Sequence, residues 1–347
     1  MPDPIRLGII GTGLIVSAKH WPALSALQDV FLVAALANRN PAKAETLADA
    51  IAAQTGSRPV VYGSYREMLA SEHLEAVSLA LPPALNPEVA EAALAEGFHV
   101  LAEKPIAGNL ADAARMVQWP TFYSRVLMIA ENYRYLGSYQ RAANLIRQGV
   151  IGQPQTVRWS YYHYLGQDNP YYQTTWRQHP AHIGGYLSDG GVHHTAVLRM
   201  LLGDVETVSG QVTLMRPDLA PADTLSATLR FKNGALGTYA VTYAMPGPRT
   251  ALEVAGPLGV LLVSRYKVDL WQRDRLANSW DEPSPVDGSV AMYEDFAHSI
   301  RTGAPSLSPP QEALEDLRLI AAILHSSETG RPVEMAEVSA TSPTSPS

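Results

Sequence analysis

Short apolar runs alternate with helix-periodic segments along the first third of the chain. Ile5–Ile10, Val30–Ala37, Ala76–Leu81, Phe98–Ala102 and Val126–Ala130 have the length and apolar character of strands buried on both faces. Between them, Pro41–Gln54, Tyr65–Ser71, Pro87–Glu96 and Asn109–Gln118 read as helices, two opening on proline and one closed by Gly97. This alternation predicts a doubly wound α/β sheet of about six strands over residues 1–130. Beyond it the period changes. Ser138–Gln148 reads as a helix, and Gln155–Tyr164 as a strand dense in aromatics. From Val205 to Trp271, short strands separated by turns such as Lys232-Asn233-Gly234 and Gly256-Pro257 predict a meandering antiparallel sheet. Val290–Arg301 and Gln311–His325 read as closing helices, with Asp295, His298 and Arg301 on solvated faces. The expectation is therefore an α/β domain followed by an α+β domain over 131–335. The Ser/Thr/Pro-rich tail, 336–347, is expected to be disordered.

Composition narrows the chemistry. The 347 residues suffice for two cores, and with 46% hydrophobic and 17% charged residues the chain reads as globular. A net charge of -7 argues against a nucleic-acid partner. With no cysteine, disulfides, thiolate catalysis and cysteine-ligated metals are excluded. The start, Met1–Arg6, lacks a signal-peptide pattern, and no apolar stretch of about 18 residues occurs, so a cytoplasmic protein without a membrane partner is expected. His163, His179, His182, His193 and His194 show no metal-ligand spacing, and no metal is expected.

Three stretches carry candidate chemistry. The first strand leads into Gly11-Thr12-Gly13-Leu14-Ile15-Val16 and then a helix to about Leu27, the context of a dinucleotide fingerprint. Val16 stands where Gly or Ala is usual, which loosens the expected helix–strand packing. The second strand ends in Asn38-Arg39 with no acid to hold a ribose 2′-hydroxyl. A guanidinium suits a 2′-phosphate instead, so NADP(H) is expected over NAD(H) unless Arg39 is only a solvated turn residue. Glu103-Lys104-Pro105 sits at a strand's carboxyl end, where α/β sheets bind ligands, although a solvent-facing lysine is the plainer alternative.

The third stretch runs from Gly184 to His194. Its glycines mark a turn or a close approach, and Val192, Ala196, Val197, Met200 and Leu201 give a helix ending at Gly203. Asp189 then falls at the N-cap, with His193 four residues on and on the same face. The pair is either an acid/base unit or a capping Asp followed by surface histidines. Nearby, His163, Trp176 and Arg177 are expected to face a pocket, more so than Tyr171, and such side chains suit a polar ring substrate.

With these motifs at these separations, the chain resembles the glucose–fructose oxidoreductase/inositol dehydrogenase family, often called Gfo/Idh/MocA, from Ile5 to about Val333. The resemblance implies a Rossmann domain, then a domain with a large, mostly antiparallel sheet, a nicotinamide cofactor, and a homodimer or homotetramer. It gives Lys104 a place beside nicotinamide and substrate, and makes Asp189 and His193 the catalytic pair, with His193 exchanging the proton. Pro82, Glu103 and Lys104 join Gly11–Ile15, Asn38 and Arg39 as cofactor contacts, and His194 joins the substrate contacts. Ala196 replaces an Asp common in the family, and Asn86 a histidine. The expected activity is oxidation or reduction of a sugar, polyol, cyclitol or related small carbonyl compound. An NAD-dependent glycoside hydrolase and a non-catalytic dinucleotide sensor are the alternatives.

Overall fold

A computed structural model of the chain describes residues 3–247 and 252–339. It divides into two compact units: the described residues up to Glu131 with Pro285–Ala313, and Asn132–Ser284 with the described residues from Leu314 onward.

The first unit is built on six parallel strands, β1 (Ile5–Ile10), β2 (Phe31–Ala37), β3 (Val60–Tyr62), β4 (Ala76–Leu79), β5 (His99–Ala102) and β6 (Leu127–Ile129). Their order is β3-β2-β1-β4-β5-β6, so the winding reverses between β1 and β4 and leaves a crevice at their carboxyl ends. β4 is buried throughout, as a strand covered by helices on both faces must be. β3 has no counterpart among the strands expected from the sequence; it is three residues long and not buried. Helix Ser289–Thr302 also belongs to this unit, although its position in sequence would assign it to the second. The reason is aromatic packing: Tyr293 meets Phe31 edge-on at 5.6 Å, and Phe296 stacks on Phe31 at 6.4 Å.

Among its described residues the second unit carries nine strands: β7 (Thr156–Tyr162), β8 (Val205–Thr213), β9 (Thr224–Phe231), β10 (Leu236–Thr242), β11 (Leu252–Gly256), β12 (Gly259–Ser264), β13 (Lys267–Gln272), β14 (Arg275–Asp281) and β15 (Val333–Glu334). The order is β14-β13-β12-β11-β7-β10-β9-β8-β15. β7 pairs parallel with β10, while the other pairings are antiparallel, so the sheet is mixed rather than a pure meander. Helix Tyr186–Leu202 is fixed by a buried ion cluster. Asp316 accepts from Arg134 at 2.7 Å and from Arg199 of that helix at 2.7 Å, with all three side chains under 8% exposed. Thr195 of the same helix donates to the Asp316 carbonyl at 3.0 Å. One carboxylate thereby joins the turn Asn132–Tyr135, helix Tyr186–Leu202 and helix Pro310–Thr329.

The start of the expected disordered tail is ordered. Residues 335–337 form a 3-10 turn, Val338 is buried, and Arg318 donates to the carbonyls of Met335 and Val338. Residues 340–347 lie outside the described residues. No helix among the described residues is long and apolar enough to cross a membrane.

Candidate active site

In the first unit, β1 runs directly into the glycine turn. Gly11 has φ +89°, and a Cβ there would lie 2.4 Å from the Ala80 carbonyl oxygen, so only glycine fits. Gly13 is the reverse case, because a Cβ there would meet nothing within 4 Å. Its backbone borders open space where a helical run, 14–25, begins, with π geometry over Val16–His20. Thr12 is buried and accepts from Asn38 Nδ2 at 2.6 Å, which ties the end of β1 to the end of β2. Leu14 is exposed, Ile15 partly so, and Arg39 is exposed. An open glycine backbone at a helix start beside the sheet's crevice fits a dinucleotide pyrophosphate. Val16 at the third position is fully buried, so the helix packs through a branched side chain where a dinucleotide fingerprint usually has glycine or alanine.

Lys104 is held by its backbone neighbours. After Pro82 and a 3-10 turn, helix Asn86–Ala95 begins with a fully buried asparagine. Asn86 Nδ2 donates to the carbonyls of Glu103 at 2.6 Å and Pro105 at 3.1 Å, on either side of Lys104. The Lys104–Pro105 peptide is cis. Glu103 accepts from the Lys104 amide at 3.1 Å and sits 2.9 Å from His20 Nε2. His20 Nδ1 lies 2.7 Å from the Tyr293 hydroxyl, itself 3.0 Å from Ser78 Oγ. A proton on Nε2 satisfies this chain: His20 donates to Glu103 and accepts from Tyr293, which accepts from Ser78. Sequence reasoning missed His20, Tyr293 and Ser78. The available signal was faint, a lone histidine on the buried side of a short helix.

In the second unit, helix Tyr186–Leu202 starts four residues earlier than expected, and Gly185 rather than Asp189 is its N-cap. Gly185 has φ +53°, and a Cβ on it would lie 2.7 Å from Pro221 Cδ. Gly190 and Gly191 do not turn the chain; they sit inside the helix to leave room for Tyr243 and Ile320. Asp189 still lies one turn before His193 on one face. Its Oδ2 accepts from Arg177 Nε at 2.7 Å. The Arg177 guanidinium lies 4.0 Å from the Trp176 ring centroid and 5.0 Å from that of Tyr171.

His193 stacks on Tyr133 with ring centroids 4.4 Å apart and an interplanar angle of 16°. His194 points elsewhere: it is 2% exposed, its Nδ1 is 2.8 Å from the Tyr239 hydroxyl, and Trp159 and Tyr161 flank it at 4.6 Å. Burial pushes its pKa down to about 3, so the imidazole is neutral. A cavity of about 180 Å³ brings together His163, Arg177, Asp189, His193 and His194. Tyr171 also lines it, whereas Trp176 does not and lies instead against Arg177 and His182. Among the described residues, no group of three or more His, Cys, Asp or Glu side chains could hold a metal ion.

Comparison with known proteins agrees with both units. Residues 5–130 match the oxidoreductase family with an NAD-binding Rossmann fold, and residues 139–262 match the GFO/IDH/MocA C-terminal domain. The chain is 29% identical to dehydrogenase FPY6 of Fusarium mangiferae, over 93% of this chain and 96% of that one. It is 29% identical to D-xylose 1-dehydrogenase (NADP(+)) 2 of Haloferax volcanii, over 95% and 100%. The crystal structure of an oxidoreductase from Thermotoga maritima superposes with a TM-score of 0.90 at 34% identity, covering 96% of this chain and 99% of that one. With both domain models matched and likeness along nearly its whole length, the chain belongs to the Gfo/Idh/MocA family of oxidoreductases.

Proposed function

We propose that this oxidoreductase uses NADP(H) to move a hydride between nicotinamide and a carbinol or carbonyl carbon of a sugar, polyol, cyclitol or related small compound. The observation that carries the proposal is His193, which lines a small cavity one helical turn from Asp189. When bound, the nicotinamide supplies the hydride acceptor or donor. In the oxidation direction His193 takes the hydroxyl proton, and Asp189, itself held by Arg177, orients the imidazole. Lys104, presented by the Asn86-braced turn, stabilises the negative charge that develops on the oxygen. His163, Arg177 and His194 shape the substrate's surroundings, and Trp176 acts only through Arg177, against which it lies.

Gly11–Ile15 hold the pyrophosphate, Pro82 and Glu103 border the cofactor, and Asn38 and Arg39 meet the adenosine end. An exposed arginine after β2, with no acid in its place, supports NADP(H), as does the NADP(+) in the name of the Haloferax relative.

Fluorescence titration with NADPH and NADH, run beside Arg39→Ala, tests the cofactor. NADPH should bind at least roughly tenfold tighter, and the variant should lose that preference. Equal affinities, or a preference for NADH, would overturn the assignment of Arg39. In a screen of sugars and polyols, Lys104→Met and His193→Ala should each lose at least about a hundredfold in kcat. Intact turnover in both would overturn their roles. Tight NADPH binding with no turnover of any compound would point to a sensor.

A further inference from the structure

Among the described residues, the buried hydroxyls of Tyr186 and Tyr243 in the second unit have no hydrogen-bond partner. The residues are 4% and 7% exposed. Both line the cavity that contains His193. A hydroxyl taken out of water without a partner is costly, so native proteins rarely leave one unless something arrives to satisfy it. Burial pushes the Tyr186 phenol up to about 12 and that of Tyr243 well above its ordinary value, so each is a protonated donor at neutral pH.

The position of Tyr243 is built into the backbone. Its hydroxyl lies so close to Gly190 that a Cβ on that residue would fall 1.8 Å away. Glycine at 190 therefore lets a phenol reach the helix between Asp189 and His193. The Tyr243 ring is 6.4 Å from Tyr186 and 6.3 Å from His163, so the two open hydroxyls belong to one wall.

The charges on that wall are already matched. Arg177 and Asp189, each 14% exposed at the side chain, hold each other at 2.7 Å. An anionic substrate group would have to compete with the Asp189 carboxylate for the guanidinium and would sit beside a like charge. A volume of about 180 Å³ corresponds to roughly six waters and is below the ~300 Å³ where drug-sized sites begin, which suits one small ring.

We propose that Tyr186 and Tyr243 are specificity-determining residues whose hydroxyls bind oxygens of an uncharged sugar or polyol, and that the cavity selects neutral substrates over sugar acids and sugar phosphates. This rests on the sugar-type oxidoreductase reading above and adds which residues recognise the substrate and what charge it carries.

The test is calorimetric titration of the NADPH-loaded enzyme with D-xylose, D-glucose, D-glucuronate and D-glucose 6-phosphate, repeated for Tyr186→Phe and Tyr243→Phe. Thermal melting of each unliganded variant runs alongside. At least one neutral sugar should bind, more tightly than both anionic compounds. Each substitution should weaken it roughly tenfold, while the melting temperature stays level or rises because an unsatisfied buried hydroxyl has been removed. A merely structural hydroxyl would give the opposite pair, a lower melting temperature and unchanged sugar affinity, and would overturn the proposal. So would tighter binding of glucuronate or glucose 6-phosphate than of glucose. If NADPH binds and none of the four compounds does, the sugar reading itself fails and this inference with it. If neutral sugars bind all three proteins equally, only the role of the tyrosines fails.

Discussion

Gly190→Ala sets two well-characterised effects against each other. In a helix interior, alanine is favoured over glycine by about 1 kcal/mol. Gly190 lies inside Tyr186–Leu202, so propensity alone predicts a more stable protein. The new Cβ, however, would stand 1.8 Å from the Tyr243 hydroxyl oxygen and 2.8 Å from its Cζ. The ring has to move, and it is rigid and boxed in by Tyr161 at 6.5 Å, His163 at 6.3 Å and Tyr186 at 6.4 Å. Overpacking a buried site costs about 1–3 kcal/mol, and displacing a ring with three aromatic neighbours belongs at the upper end. The expected net loss is about 2 kcal/mol, or roughly 4–8 °C in melting temperature at the 2–4 °C per kcal/mol typical of units this size. Gly191→Ala is the internal control. There the obstacle is Ile320 Cδ1 at 2.8 Å, the end of a flexible side chain that can rotate away, so that variant should stay within about 1 kcal/mol of the parent. Scanning calorimetry of both variants decides the matter. A Gly190→Ala protein that melts at or above the parent temperature would show that Tyr243 is not wedged against this helix.

Two further outcomes are expected. Asp316→Asn leaves Arg134 and Arg199 buried with their shared carboxylate gone, and should cost about 3–5 kcal/mol in urea unfolding; a loss under about 1 kcal/mol would mean the cluster does not hold helix Tyr186–Leu202 in place. His194 titrates at about 3 in the folded chain against about 6.5 unfolded, so between these values the unfolded state binds the extra proton and stability falls with falling pH. From pH 6.5 to 5 the loss should be about 1.6 kcal/mol and be absent in His194→Asn; parallel pH profiles for the two proteins would refute the assignment.

Much of the first unit was legible because its rules are local. An apolar run, a glycine turn and a helix start fall within Ile5–Val16, and each later strand of the sheet, β3 apart, announces itself as a buried run. β3 escaped because three residues outside the core carry almost no pattern. The site in the second unit was legible as residues rather than as geometry. Asp189 and His193 keep their one-turn spacing wherever the helix begins, but its beginning depends on why each glycine is there. Gly185 turns the chain beside Pro221, while Gly190 and Gly191 make room for Tyr243 and Ile320, residues far away in sequence. Seen only in sequence, the four glycines of 184–191 look alike. The surroundings of His194, expected among the substrate contacts, were hidden for a similar reason: nothing local reveals that Tyr239, from a distant strand, is 2.8 Å from its ring. Packing at long sequence separation also assigned 285–313, whose helix periodicity gives no hint that Phe31 is its neighbour.

That assignment has a consequence during synthesis. When a ribosome has made the six strands of the first sheet, the ring of His20 still lacks Tyr293, and Phe31 lacks Tyr293 and Phe296. At about 5–20 residues per second, translation from Glu131 to Ala313 takes roughly 10–35 s, and through that interval the N-terminal half waits with part of its interior open. The finished first unit is therefore a late product although all six of its strands are made early. A chain cut at Ser284, which keeps every Rossmann strand, would lose a wall of that interior and expose an aromatic surface to chaperones and proteases.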